Sequence, residues 1–209
     1  METVFLGAGL AEAAAICVFV HGRGQTPEDM QGQVIRHLKS AGVAFVLPRA
    51  DRKSWYDARA VDPLTDGTRV QLAAGLDSLA TLIASVRARS GAPLLLGGFS
   101  QGACLSLEYA FRGGEIDALV ALTGCRVGTP LCRRPDASLF GLRAYLSGSD
   151  NDPWIPAAAF AQTVEALSRA RALLRADSFP GRAHEVSDAE ICVLDQMLTA
   201  LATGQPIEK

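Results

Sequence analysis

Short, nearly continuous apolar runs alternate along the chain with longer stretches whose apolar residues recur every three or four positions. The runs at 15–20, 43–47, 94–99 and 118–122 read as strands covered on both faces. Residues 142–147 and about 173–179 complete the set, and 4–6 reads as an extra edge strand. Helical patterns lie between them. A helix over 27–40 starts with Thr26 as cap, Pro27 in the first turn, and Glu28 and Asp29 behind it. Over 69–89, Leu72, Leu76, Leu79, Ile83 and Val86 fall on one face. Residues 101–111 follow a strand directly, and 157–171 place Phe160, Val164 and Leu167 together. The last helix opens on Ser187-x-x-Glu190, a capping box, and continues with Ile191, Leu194, Leu198 and Leu201.

This alternation predicts βαβ units and an α/β fold: a mostly parallel central sheet with helices on both faces and little room for a cap domain. Right-handed crossovers then bring all strand carboxyl ends to one edge, where ligands of open α/β sheets bind. The chain has 209 residues and no Pro/Gly/Ser linker, so 1–209 reads as a single domain.

Composition narrows the function classes. An apolar share of 49% excludes a disordered, collagenous or coiled-coil chain. A net charge of −2 leaves no domain-wide basic footprint, so a nucleic-acid partner is not expected. No apolar run reaches the roughly 18 residues of a membrane span. The first six residues lack a basic segment and Glu12 interrupts the apolar stretch after them, which does not resemble a signal peptide. The five cysteines, at 17, 104, 125, 132 and 192, form no C-x-x-C. They read as reduced structural cysteines of a cytoplasmic protein, with no zinc site.

The chemistry concentrates just after strands. Gly98-Phe99-Ser100-Gln101-Gly102 fits G-x-S-x-G between a strand and a helix, the setting of a nucleophile elbow. A serine hydroxyl needs a general base. Of the three histidines, His37 lies on a helix, His21 precedes the serine, and His184 follows the last strand, where the order Ser…Asp/Glu…His requires it. A carboxylate should lie between Ser100 and His184, after a strand. Asp150 and Asp152 both qualify, and spacing does not separate them. Two backbone N–H groups should form an oxyanion hole: that of Gln101, after the nucleophile, and one from the loop His21-Gly22-Arg23-Gly24. Cys104 falls one helical turn beyond Ser100, where it packs under the elbow, and Cys125 is placed toward the cleft; neither has the context of a nucleophile.

Four segments then carry a resemblance: His21-Gly22-Arg23-Gly24, Gly98-Phe99-Ser100-Gln101-Gly102-Ala103, Asp152-Pro153-Trp154-Ile155-Pro156 and Gly181-Arg182-Ala183-His184. In this order they resemble the phospholipase/carboxylesterase family of α/β-hydrolases, which includes bacterial carboxylesterases and acyl-protein thioesterases; the similarity spans about residues 15–200. The resemblance implies an α/β-hydrolase fold with Ser100 as nucleophile, His184 as base and Asp152, directly before the proline of D-P-x-x-P, as third member. It implies Arg23 and Gln101 as the oxyanion-hole positions, and Trp55, Tyr56 and Trp154 as substrate-pocket residues. It implies no cofactor and no metal, and family members are often homodimers, although nothing in this sequence marks an interface. Three departures stand out. Gln25 replaces a common Asp, Arg23 an apolar residue of the thioesterase branch, and Glu185 a small residue after the histidine.

The long connections 48–66 and 123–141 carry Arg49, Arg52, Lys53 and Arg59, and Arg126, Arg133 and Arg134. This charge reads first as solvated loop surface, with a preference for anionic esters as the alternative. The sequence thus predicts a serine esterase acting on small soluble esters. A thioesterase or lysophospholipase with the same residues is the nearest rival, and a non-catalytic ligand binder on the same fold is the rival from another class.

Overall fold

Every residue of β2 (Ala15–Val20), β3 (Val43–Pro48), β4 (Leu94–Phe99) and β5 (Ala118–Leu122) is buried. Such strands must be covered on both faces, and they are the centre of the sheet. The computed structural model describes residues 1–207. Its seven strands run in the order β1-β3-β2-β4-β5-β6-β7, with β1 (Thr3–Gly7), β6 (Arg143–Gly148) and β7 (Leu173–Ser178) completing the sheet. All pairs are parallel except β1 with β3. The expected edge strand over 4–6 is therefore present and antiparallel.

Period-two alternation sorts each central strand between two layers. Ile16, Val18 and Val20 face a cluster with Leu72, Leu76, Leu79, Ile83 and Val86 of α2 (Asp66–Arg87). Cys17 and Phe19 face the other way, toward Met30 of α1 (Pro27–Gln33) and Val193, Leu194, Met197 and Leu198 of α5 (Asp188–Thr203). Leu107 and Phe111 of α3 (Gln101–Phe111) and Leu167 of α4 (Ala157–Arg169) fill a third cluster over β5 and β6. No helix among the described residues is long and apolar enough to cross a membrane.

The helix expected over 27–40 is shorter. α1 begins as predicted, with a reciprocal cap between Thr26 and Asp29, but it ends at Gln33 and a 3-10 turn follows over Ile35–His37. Val34 leaves helical geometry (φ −126°). The N–H groups of Lys39 and Ser40 donate to the Asp195 carboxylate of α5, each at 2.8 Å. A contact about 155 positions away in sequence thus overrides the local pattern.

The chain leaves β2 toward β3 on one side, while β4 leads to β5, β6 and β7 on the other. This reversal opens a crevice at the carboxyl ends of β2 and β4, where the His21 and Ser100 turns lie. Leu79, fully buried beneath α2, reports on the core that supports this edge. Leu79→Ala should lower unfolding stability by about 2–5 kcal/mol, read as a lower midpoint in urea with an unchanged slope.

Candidate active site

Ser100 sits between β4 and α3 at φ 54°, ψ −118°, a positive φ that non-glycine residues rarely adopt. The flanking glycines make the turn possible. A Cβ on Gly98 would lie 2.6 Å from the Gly102 carbonyl carbon, and one on Gly102 would lie 2.1 Å from the Val20 carbonyl oxygen and 2.6 Å from that of His21. The start of α3 is therefore pressed against the end of β2 with no space for side chains. The Ser100 N–H donates to Leu122 O at 3.0 Å, tying the elbow to the end of β5 as well.

His184 meets this serine from the loop after β7. Its Nε2 lies 2.8 Å from Ser100 Oγ and its Nδ1 2.6 Å from Asp152 Oδ2. A carboxylate only accepts, so Nδ1 carries the hydrogen and Nε2 is free to accept from the serine hydroxyl. The Asp152 side chain has no exposed surface, and its other oxygen accepts from the N–H groups of Trp154 (2.7 Å) and Ile155 (2.9 Å). The two aspartates that spacing left equivalent are thereby distinguished. Asp150 is exposed, and its carboxylate accepts from the Gly181 N–H at 2.7 Å, so it holds the histidine loop at a distance from the imidazole.

The loop after β2 lies over Ser100: a Cβ on Gly22 would be 3.2 Å from Ser100 Cβ. Gln25, one of the departures, accepts from the Gly22 N–H at 3.0 Å. Gly24, at φ 75°, donates to Lys53 O at 2.7 Å. The Arg23 guanidinium donates to Asp57 O (2.6 Å) and Ala58 O. Among the described residues, the backbone N–H groups of Arg23 and Gln101 have no protein acceptor, and that of Gln101 opens α3, where no intrahelical acceptor exists.

His21 is fully buried just behind this loop. Its Nδ1–H donates to Gly22 O at 2.7 Å and its Nε2 accepts from the Ala50 N–H at 3.0 Å. Both bonds fit one neutral tautomer, and burial moves its pKa below the ordinary value, aided by the positive charge of Arg49.

The aromatic residues divide. Trp154 is 55% exposed at the rim, with the Arg59 guanidinium 5.9 Å from its ring and donating to Pro153 O at 3.2 Å. Trp55 and Tyr56 instead are buried, at 7% and 2% exposure, and pack in the cluster that includes Leu72 and Leu76 of α2. The Trp55 indole donates to His21 O at 2.9 Å. The Gln101 side chain donates to Tyr56 O (2.7 Å) and accepts from the Trp55 N–H (3.0 Å). They prop the loop after β2 from beneath. Cys104 is buried, and its sulfur accepts from the Cys125 N–H at 3.4 Å. Cys125 is also fully buried.

The loop arginines are largely engaged. Arg49 pairs with Glu2 (3.1 Å) and Glu28 (2.5 Å). Arg126 is buried against Glu108 at 2.7 Å, with its guanidinium 3.7 Å from the Phe111 ring centre. Among the described residues no cluster of His, Cys, Asp and Glu has the arrangement to hold a metal ion.

Sequence reasoning missed the polar knot under His184. Arg182 pairs with Glu190, whose side chain is fully buried, and donates to Thr123 Oγ1 at 2.8 Å. Glu190 also accepts from Ser147 Oγ and caps α5 through the Ser187 N–H at 2.7 Å. Ser149 Oγ donates to Arg182 O at 2.6 Å. Ends of β5 and β6, the histidine loop and α5 thus meet at one guanidinium. The capping box was the available signal, but it accounted for only part of what Glu190 does.

A family model described as Phospholipase/Carboxylesterase matches residues 2–202. The chain belongs to the phospholipase/carboxylesterase family. Within solved structures it is similar to a phospholipase/carboxylesterase from Dyadobacter fermentans, at 27% identity and a TM-score of 0.86, covering 94% of this chain and 95% of that one. It also resembles Zea mays acyl-protein thioesterase 2, at 18% identity and a TM-score of 0.77, covering 96% and 99%. A carboxylesterase from Mesorhizobium loti matches at 20% identity and a TM-score of 0.74, covering 93% and 92%. The last two likenesses concern the fold. The phospholipase/carboxylesterase match and the α/β-hydrolase architecture agree with the expectation drawn from the four motifs.

Gly102→Ala should cost at least about 1–3 kcal/mol, because the added methyl meets backbone oxygen that cannot move aside; its midpoint in denaturant measures this. His21 sets an acid limit. Its folded pKa is lowered, so below about pH 6.5 the unfolded chain binds a proton that the folded chain refuses. Stability should fall as pH drops from about 6.5 toward the lowered value. Melting curves of wild type and His21→Asn across that window should differ in slope, the variant lacking this component.

Proposed function

We propose that the chain is a serine hydrolase of carboxylic esters that works through an acyl-enzyme. The observation that carries this reading is the line from Ser100 Oγ to His184 Nε2 (2.8 Å) and from Nδ1 to the buried Asp152 (2.6 Å), set in a strained elbow. His184 takes the Ser100 proton as Oγ attacks the ester carbonyl. The tetrahedral oxyanion is received by the N–H groups of Arg23 and Gln101, each such donor contributing about 2.7–4 kcal/mol to the barrier. His184 then protonates the leaving alcohol. Water, deprotonated by His184, attacks the acyl-enzyme, and the acid leaves as Ser100 regains its proton. Asp152 holds the imidazole tautomer and stabilises the imidazolium. These protein groups suffice for the chemistry without cofactor or metal.

The rim supports small, soluble esters. Arg23 is exposed on the loop after β2 and Arg59 stands against the exposed Trp154, so charged groups stand around the site. The five free cysteines fit a reducing cytoplasm.

The test combines intact-mass analysis after a fluorophosphonate probe with a p-nitrophenyl ester chain-length panel. One adduct is expected, absent in Ser100→Ala, with turnover fastest on short acyl chains. Ser100→Ala should lower kcat by roughly 10⁴–10⁶-fold with the fold intact. Asp152→Asn should lower it by about 10⁴-fold, whereas Asp150→Asn keeps kcat within about tenfold. A long-chain optimum would favour the thioesterase or lysophospholipase reading. No adduct and no turnover would overturn the hydrolase and favour ligand binding.

A further inference from the structure

The sheet ends on β7, whose burial differs from that of the other strands on the β5–β7 side: its residues are exposed or half-buried throughout. Leu173 N–H donates to Leu142 O (2.8 Å) and Phe179 N–H to Gly148 O (2.9 Å). Residues 173, 175, 177 and 179 therefore turn their backbone polar groups to β6, and Leu174, Ala176 and Ser178 turn theirs outward. Among the described residues none of these outward groups has a backbone partner. The strand also lacks the usual edge defences of proline, lysine or a bulge.

Its charges are arranged symmetrically instead. Arg175 and Asp177 flank Ala176. A second copy laid antiparallel about a two-fold axis at Ala176 places Arg175 opposite Asp177 of that copy, and Asp177 opposite its Arg175. Ala176 then forms the hydrogen-bonded pair on the axis. The charged residues fall at the flanking non-hydrogen-bonded positions, where side chains approach most closely. Leu173, 48% exposed, meets Phe179 in the same register. The charges are already oriented: Arg175 contacts its own Asp177 at 2.9 Å, and Tyr145 donates to Asp177 at 3.1 Å. On the same face a groove of about 700 Å³ runs between this edge and α5, lined by Tyr145, Leu173, Arg175 and Met197.

We propose that the β7 edge is a homodimer interface, in which two copies pair antiparallel through Ala176 and join their sheets into one. The interface is isologous, so each contact occurs twice and the assembly closes at two chains.

Sedimentation velocity and light scattering on the full chain at tens of micromolar test it. Wild type should be a dimer. Arg175→Asp and Asp177→Arg each set like charges face to face, and each should raise the dissociation constant at least tenfold. The double swap should restore it. Ala176→Pro removes the N–H on the axis, a group with no protein acceptor among the described residues, and should give a monomer. Melting curves of each variant show whether the chain remains folded, and Ala176→Pro decides if an inversion unfolds it. A monomeric wild type would overturn the proposal, as would a dimer indifferent to Ala176→Pro. A double swap that stays folded and monomeric would overturn the charge pairing.

Discussion

At Gly102 the backbone of α3 comes so near the end of β2 that a Cβ would stand 2.1 Å from the Val20 carbonyl oxygen. This contact determines much of the site. It fixes where α3 begins and forces Ser100 into its unusual φ. It also brings Gly22 against Ser100, so that the loop after β2 and the first N–H of α3 face one point. The glycine at 98 answers to the same approach from the other side. An elbow of this kind stores strain of order 1–3 kcal/mol, and β4, sealed between β2 and β5, is the rigid support that sustains it.

Around this contact the polar groups are held in pairs that leave little freedom. His21, buried and neutral, receives the Ala50 N–H and donates to Gly22, joining the end of β3 to the loop over Ser100. Gln101 occupies both ends of its amide with the backbone of Trp55 and Tyr56. Glu108 and Arg126 form a buried ion pair that anchors the connection after β5. Breaking one partner of such a pair leaves an uncompensated buried charge, so the loops around Ser100 are rigid because their polar groups have nowhere else to turn.

The strands and the serine motif were legible because their causes are local. Continuous burial writes an apolar run, and backbone contact writes glycine at 98 and 102. What the sequence concealed depends on distant partners. α1 stops early because Asp195, far along the chain, takes the N–H groups of Lys39 and Ser40. Asp150 and Asp152 share one turn; spacing does not separate them, the resemblance favours Asp152, and the fold places Asp152 against the imidazole. Trp55 and Tyr56 are placed by resemblance alone, and their burial and their bonds to Gln101 and His21 depend on partners distant in sequence. Glu190 announced itself as a helix cap, while its bonds to Arg182 and Ser147 leave no periodic trace.

Glu190 also links two parts of the chain that the site needs together. The same carboxylate nucleates α5 and grips the loop that presents His184. The elbow belongs to the middle of the chain, whereas the loop carrying the imidazole is fastened to the final helix through Arg182 and Glu190. The position of the His184 imidazole is thus tied to the packing of the last helix in the chain.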